Sequence, residues 1–303
     1  MPDYILRTHQ LSKIYKQDQI LRDLNLNIRK GDIYGLIGMN GAGKTTLIRI
    51  LAGLIPSSGG TVELFGETDP RRIEQLRAKI GWLIETPALY LNHTAYENLE
   101  MERIHKGIQD RREIDKVLEI VGLKEAGSKK TADFSLGMKQ RLGIAMALLG
   151  DPELLVLDEP INGLDPVGIA QMRELLLELN HRYGITILIS SHILTELAQI
   201  ATTYGIINNH TLIEELSAEE LNKRSKQYLA IKSRPVEDTL KVLTTKLNTN
   251  RFEVVGSTVL LYDYYAESGR VASVLYENGI SVEEISCKGQ DLEHYYMGLL
   301  ERK

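Results

Sequence analysis

Residues 3 to 30 alternate apolar and polar positions, first in "YILRTHQLSKIY" and then in "ILRDLNLNI". A period of two predicts half-buried strands, and antiparallel sheets are the ones that commonly keep one wet face. "GDIYGLIG" (31–38) is an apolar run entering a Gly-rich turn, which predicts a buried strand. "KTTLIRILAGL" (44–54) then takes helical spacing, and "GGTVELFGE" (59–67) returns to a strand closed by a turn. In "GWLIETP" (81–87), Gly81 to Ile84 predict a short buried strand, and Thr86-Pro87 stops it. From about 94 to 150 the pattern is helical, in "AYENLEMERIH", "REIDKVLEIVGL" and "MKQRLGIAMALL". "ELLVLD" (153–158) and "GITILISSH" (184–192) are again buried strands. Between them, "IAQMRELLLELNHRYG" predicts an amphipathic helix closed by Gly184.

Buried strands alternating with helices predict an α/β fold, a parallel sheet with helices on its faces. The helical stretch, about 86–150, reads as an inserted lobe. After about residue 215 the order becomes strand, helix, hairpin, helix, strand, which predicts a small α+β unit of ferredoxin-like type. The expected domains are 1–215 and 216–303, with the helical "SAEELNKRSK" (217–226) as the link.

Composition narrows the functional classes. Of 303 residues, 43% are apolar and 25% charged, an ordinary soluble balance. The net charge of −5 argues against a protein that coats nucleic acid with a basic face. Cys287 is the one cysteine, so no intramolecular disulfide or Cys-rich metal site is available. No apolar run approaches the roughly 18 residues of a membrane span. "MPDYILRTHQ" lacks the basic-then-apolar order of a signal peptide. A soluble chain is expected, with any membrane role exercised through a partner.

"GMNGAGKTT" (38–46) matches G-x-x-x-x-G-K-[ST] between a strand and a helix, the context that motif requires. Gly38, Gly41 and Gly43 let the backbone curl and turn its N–H groups inward, with Asn40 and Ala42 between them. The helix N-terminus adds a positive dipole end. Lys44 supplies a point charge for β- and γ-phosphates, Thr45 a hydroxyl for Mg²⁺, and Thr46 continues the first turn. At the end of "ELLVLDEP" (153–160), Asp158 is suited to hold Mg²⁺ through water. Glu159 is suited to orient or deprotonate an attacking water. By itself that pair is equally readable as a strand ending in a polar turn.

With "DFSLGMKQR" (133–141), "INGLDP" (161–166) and "ISSHIL" (189–194) in the same order, the chain resembles the nucleotide-binding subunits of ABC transporters over residues 4 to roughly 215. The resemblance implies a P-loop NTPase fold of the ABC type: a RecA-like parallel sheet, an N-terminal antiparallel β part and an inserted helical lobe. It implies ATP and Mg²⁺ as ligands. Phe134 to Met138 stand where the family commonly has Leu-Ser-Gly-Gly-Gln. Ser135 and Gly137 keep the pattern, while Leu136 and Met138 depart from it. In the family this patch closes over ATP bound to a second subunit, which implies a homodimer or pseudo-dimer. Physically, Ser135 is also an ordinary helix cap. Asp165 matches the residue that communicates across that dimer. His192 matches the γ-phosphate-sensing histidine, although a lone His at a strand end is ordinarily structural. Tyr15 matches the aromatic that stacks on adenine, although a strand Tyr is ordinarily filler.

Glu85 stands where the family usually has Gln beside Mg²⁺. An amide both accepts and donates, whereas an ionised carboxylate only accepts. Glu85 is expected to favour Mg²⁺ or its water and to repel a phosphate oxygen. This substitution, "IETP" and "LYLNHTAYENLE" are similar to the ATPases of peptide-antibiotic exporters, of the bacitracin-resistance and lantibiotic-immunity kind. The resemblance implies an ATPase at the cytoplasmic face of the membrane that powers a separate permease, with Glu159, His192 and Glu85 acting in hydrolysis. The rival is a soluble ABC-type ATPase working on ribosomes or DNA. Translation factors of that type carry two ATPase halves in one chain, and this chain has one. A GTPase lacks support, since "NKRS" (222–225) ends in Ser and lies in the wrong lobe.

Overall fold

The N-terminal alternation becomes three antiparallel strands, β1 (Tyr4–Tyr15), β2 (Asp18–Leu24) and β3 (Asn27–Arg29), in a computed structural model that describes residues 3–224, 228–288 and 292–301. Leu6, Leu11, Leu21, Leu24 and Ile28 of the pattern are all shielded from solvent, whereas Ile14 and Tyr15 at the end of β1 are exposed and Thr8 and Lys13 are buried. β4 (Ile33–Ile37) follows, then α1 (Lys44–Leu51), and β5 (Gly59–Leu64) joins β1 antiparallel. Leu47, Ile48 and Leu51 of α1 share one core cluster with this antiparallel part and with residues of β4. The helix that follows the Gly-rich turn is therefore anchored by apolar burial along its length.

α2 (Pro70–Leu76) starts from an Asp69 cap and a proline in the first turn, and β6 (Ile80–Leu83) follows it. Three helices come next: α3 (Ala95–His105), α4 (Arg112–Ile120) and α5 (Leu136–Leu148). Thr94 and Glu97 form a reciprocal capping box on α3. β6 packs so closely on α5 that a Cβ at Gly81 would lie 2.4 Å from the Ala147 carbonyl oxygen. The rest of the sheet is β7 (Leu154–Asp158), α6 (Pro166–His181), β8 (Thr186–Ser191), α7 (Leu194–Leu197), β9 (Thr203–Asn208) and β10 (Thr211–Ser217).

The sheet order is β10-β9-β4-β8-β7-β6. β9, β4, β8, β7 and β6 run parallel, and β10 closes one edge antiparallel. β4, β7 and β8 are buried along their whole length, as expected of strands covered on both faces. The turns leaving β4, β6, β7 and β8 all emerge from one edge, the carboxyl ends of parallel strands, where open α/β sheets form their sites.

The chain divides into two compact units, Met1–Ala218 and Glu219–Lys303. The expected linking helix is α8 (Ala218–Arg224), and Ser225 and Lys226, which end the predicted segment, lie outside the described residues. The second unit contains β11 (Tyr228–Ser233), α9 (Val236–Lys246), β12 (Phe252–Val255), β13 (Thr258–Leu261), α10 (Ser268–Glu277), β14 (Val282–Lys288) and α11 (Leu292–Glu301). Its sheet, β12-β13-β11-β14, is antiparallel throughout, the order of a ferredoxin-like unit. It has its own core, in which Leu229, Ile231, Leu243, Leu261, Val271 and Leu275 meet. Among the described residues, no helix is long and apolar enough to cross a membrane.

Candidate functional site

The turn between β4 and α1 is shaped by what lies behind it. Gly43 precedes the helix at φ 108°, a left-handed conformation that favours glycine. A Cβ there would come within 2.6 Å of Leu21 Cδ2 and 2.8 Å of the Ile20 carbonyl oxygen. Glycine is thus required twice, by conformation and by the close approach of β2. No side chain caps α1. Its first-turn N–H groups have no intrahelical partner and face the side on which an anion is favoured.

Lys44, the first residue of α1, is 6% exposed. Its Nζ donates to the Gly38 carbonyl oxygen at 2.7 Å and lies 3.3 Å from Glu159 Oε1. Glu159 follows β7 at φ 51°. Its other oxygen, Oε2, is 2.7 Å from His192 Nδ1. An ionised carboxylate only accepts, so this pair puts the proton on Nδ1 and leaves Nε2 for another partner.

Ser190 of β8 ties these strand ends together. Its Oγ donates to Asp158 Oδ1 at 2.6 Å and accepts the Glu159 N–H at 3.0 Å. The register that pairs Asp158 with Ser190 makes both bonds possible. Asp158 is 1% exposed and needs such a partner.

A cleft of about 630 Å³ opens over these groups. It is lined by the predicted Tyr15, Asn40, Gly41, Gly43, Lys44, Thr45, Thr46, Glu159 and His192, and also by Ile20, Met39 and Asn162. Gly38 and Ala42 are buried within the turn rather than lining the cleft. Tyr15 is 44% exposed, and Lys13 Nζ lies 4.7 Å from its ring centroid. One ring face is thereby engaged by a cation.

Ser135, Gly137, Asp165 and Glu85 are not among the lining residues. Ser135 caps α5, accepting the Met138 N–H at 3.2 Å. Asp165 caps α6, accepting the Gly168 N–H at 2.8 Å. Side-chain atoms of Leu136 and Leu164 reach Gly163 and Gly137 respectively, so the patch 133–141 and the loop 161–166 adjoin. Glu85 is half exposed and forms an ion pair with Arg49 of α1.

Sequence reasoning missed Ile20, Met39, Asn162, Ser190 and Arg49. Ser190 had a signal: a hydroxyl inside an apolar strand must find a partner, and the carboxylates of the neighbouring strand end are the partners at hand.

The oxygen donors, the Thr45 hydroxyl at the cleft and the Asp158 carboxylate beside it, suit Mg²⁺. That ion takes one or two protein oxygens and fills its sphere with phosphate and water.

A family profile described as ABC transporter matches residues 21–162. The bacitracin transport ATP-binding protein BcrA of Bacillus licheniformis is 42% identical over 98% of this chain and 97% of its own length. The protein of the same name from Enterococcus faecalis is 40% identical over the same shares. Among solved structures, cbiO1 of Clostridium perfringens, part of the ABC transporter complex cbiONQ, superposes with a TM-score of 0.67 at 26% identity, covering 81% of this chain and 97% of that one. An anion cradle with a buried lysine, two strand-end carboxylates and these end-to-end likenesses converge: the chain belongs to the family of ABC transporter ATP-binding subunits and is an ATPase.

Proposed function

We propose that this chain powers a separate membrane permease that exports a peptide antibiotic or a similar amphipathic compound. The observation that carries the reading is that similarity to two bacitracin transport proteins runs through both units, at 40% and 42% identity over 98% of the chain. A shared ATPase core would explain likeness over the first unit alone. The exposed Tyr90 and Leu91, just beyond the β6 end, support an external partner on that side of the first unit. The chain then works as a peripheral subunit on the cytoplasmic face of the membrane.

The chemistry follows from the cleft. The 38–46 turn and the α1 N-terminus cradle the phosphates, with Lys44 neutralising charge on the β- and γ-groups. Thr45 and Asp158 would hold Mg²⁺, which supplies charge neutralisation when bound. Once Lys44 turns to phosphate, Glu159 is free to accept a proton from water. His192 keeps the Glu159 carboxylate aimed and presents Nε2 to the γ-phosphate. Tyr15 offers its remaining face to the adenine. Ser135, Gly137 and Asp165 stand outside this cleft, which supports their acting on nucleotide held by a second ATPase subunit. That second subunit is a copy of this chain or a relative of it.

The test is capture of tagged Glu159→Gln protein from detergent-solubilised native membranes with ATP and Mg²⁺. Recovery of a polytopic membrane protein in fixed ratio is expected. Recovery of ribosomal or DNA-repair proteins with no membrane partner overturns the transport reading and leaves the ATPase.

A further inference from the structure

Glu85 and Glu159 end neighbouring parallel strands at the same level. Leu83 of β6 pairs with Leu157 of β7, and each glutamate stands two residues beyond its member of that pair. Both are left-handed, at φ 61° and 51°. A non-glycine residue persists there when its surroundings enforce the conformation, and such residues gather at functional switches. Their partners differ. Glu159 faces Lys44 and His192, whereas Glu85 is paired with Arg49. One helix thus supplies a cation to both strand ends, Lys44 from its first residue and Arg49 from its last turn.

An arginine in a last turn is favoured by the helix dipole alone. What distinguishes Arg49 is that it engages the carboxylate standing where a magnesium-side residue is expected, and that this carboxylate is absent from the cleft lining. We infer that Arg49 is a positioning residue that holds the Glu85 carboxylate against α1, so that Glu85 reaches the nucleotide side of the cleft only by breaking this pair. The inference rests on the reading of Glu85 as a magnesium-side group. A glutamine at position 85 would bond Arg49 more weakly, because its amide carries no charge to attract the guanidinium and cannot accept its fork through two oxygens. The carboxylate therefore makes a latch that the amide would not. Both partners are partly exposed, so the latch is shallow and reversible.

The experiment uses the full chain and measures the free Mg²⁺ concentration that half-saturates ATP binding. It is followed by calorimetry and by the fluorescence of Trp82, the single tryptophan, three residues before Glu85. Arg49→Ala is expected to lower that concentration about two- to fivefold, the range an exposed ion pair supplies. Arg49→Lys, which keeps the charge but loses the fork, is expected to fall between. In a Glu85→Gln background, Arg49→Ala is expected to change nothing further. Equal Mg²⁺ dependence in wild type and Arg49→Ala overturns the latch, as does an equal shift from Arg49→Ala in both backgrounds. If Glu85→Gln alone leaves Mg²⁺ dependence at the wild-type value, the reading of Glu85 as a magnesium-side group fails instead.

Discussion

Glu159 Oε2 and His192 Nδ1 stand 2.7 Å apart, at the ends of adjacent parallel strands. The same carboxylate meets Lys44 Nζ through its other oxygen, at 3.3 Å. A carboxylate held between two donors is well aimed but engaged, and on the proposed mechanism it becomes available as a base when phosphate takes over Lys44.

Glu159→Gln tests the aim and the chemistry separately. The amide keeps the shape but has little capacity to accept a proton. Turnover is expected to fall by at least about 10²–10⁴-fold, the range general-base catalysis supplies. ATP affinity is expected to hold or rise, because the phosphate turn is untouched and Lys44 loses a carboxylate that competes with phosphate for it. Steady-state hydrolysis alongside equilibrium ATP binding checks this, and a shift to a dimer on gel filtration with ATP is expected as well. Hydrolysis at a near wild-type rate would remove Glu159 from the chemistry.

Gly43→Ala addresses the turn itself. The substitution meets Leu21 and the Ile20 carbonyl oxygen at 2.6 and 2.8 Å in a left-handed conformation. Left-handed backbone alone costs about 1–2 kcal/mol for a residue with a Cβ. Relief requires the turn to move away from β2, which spoils the inward set of N–H groups. ATP affinity is expected to fall at least tenfold, and binding calorimetry measures it. Full affinity in this variant would show that the turn adapts and that the close approach of β2 is dispensable.

Much of the site was legible because its residues obey local rules. A glycine turn, a lysine after it and two carboxylates after an apolar strand are each readable within ten residues. The elements missed depend on other parts of the chain. β9 and β10 were not predicted, although Asn209 and His210, at φ 46° and 69°, form the two-residue turn typical of a tight hairpin. Their strands look ordinary until β9 is paired with β4. The predicted helix at Met138 begins at Leu136, because the Ser135 cap starts it two residues earlier. Glu85 was readable as an unusual carboxylate, but Arg49 was not readable as its partner. That pairing requires α1 and the β6 end to meet, and 36 residues of chain separate them.

A buried phenol supplies a pH test of the first unit. Tyr34 is fully buried, and its hydroxyl donates to Glu215 Oε1 at 2.7 Å, while Asn27 holds the same carboxylate through two hydrogen bonds. Burial, and then the Glu215 charge, push the Tyr34 hydroxyl well above its ordinary value of 10. Below about pH 10 both folded and unfolded chains keep this proton. Above it the unfolded chain loses the proton first, so stability falls by up to about 1.4 kcal/mol per pH unit until the folded group also titrates. The stability gap between wild type and Tyr34→Phe is expected to narrow between pH 9 and 11. Denaturant titrations across that range measure it, and a constant gap would contradict the raised value.

Ser190→Ala removes the hydroxyl that serves two carboxylate-bearing residues at once. Asp158 Oδ1, 1% exposed, loses its 2.6 Å donor, and the Glu159 N–H loses one of two acceptors, keeping the Ser190 carbonyl oxygen at 3.2 Å. Leaving a buried acceptor unsatisfied costs about 1–3 kcal/mol. For a unit of this size each kcal/mol lowers Tm by about 2–4 °C. The functional loss is expected to exceed that, because the Glu159 turn depends on the same hydroxyl. kcat should drop while KM for ATP changes little, since the phosphate turn lies on β4 and α1. Ser190→Thr keeps the hydroxyl on a residue that strands favour, and it is expected to recover both Tm and kcat. Thermal unfolding and steady-state kinetics on the pair separate the two effects. If alanine lowers Tm while kcat holds, Ser190 serves the fold alone and the aim of Glu159 comes from His192 and Lys44.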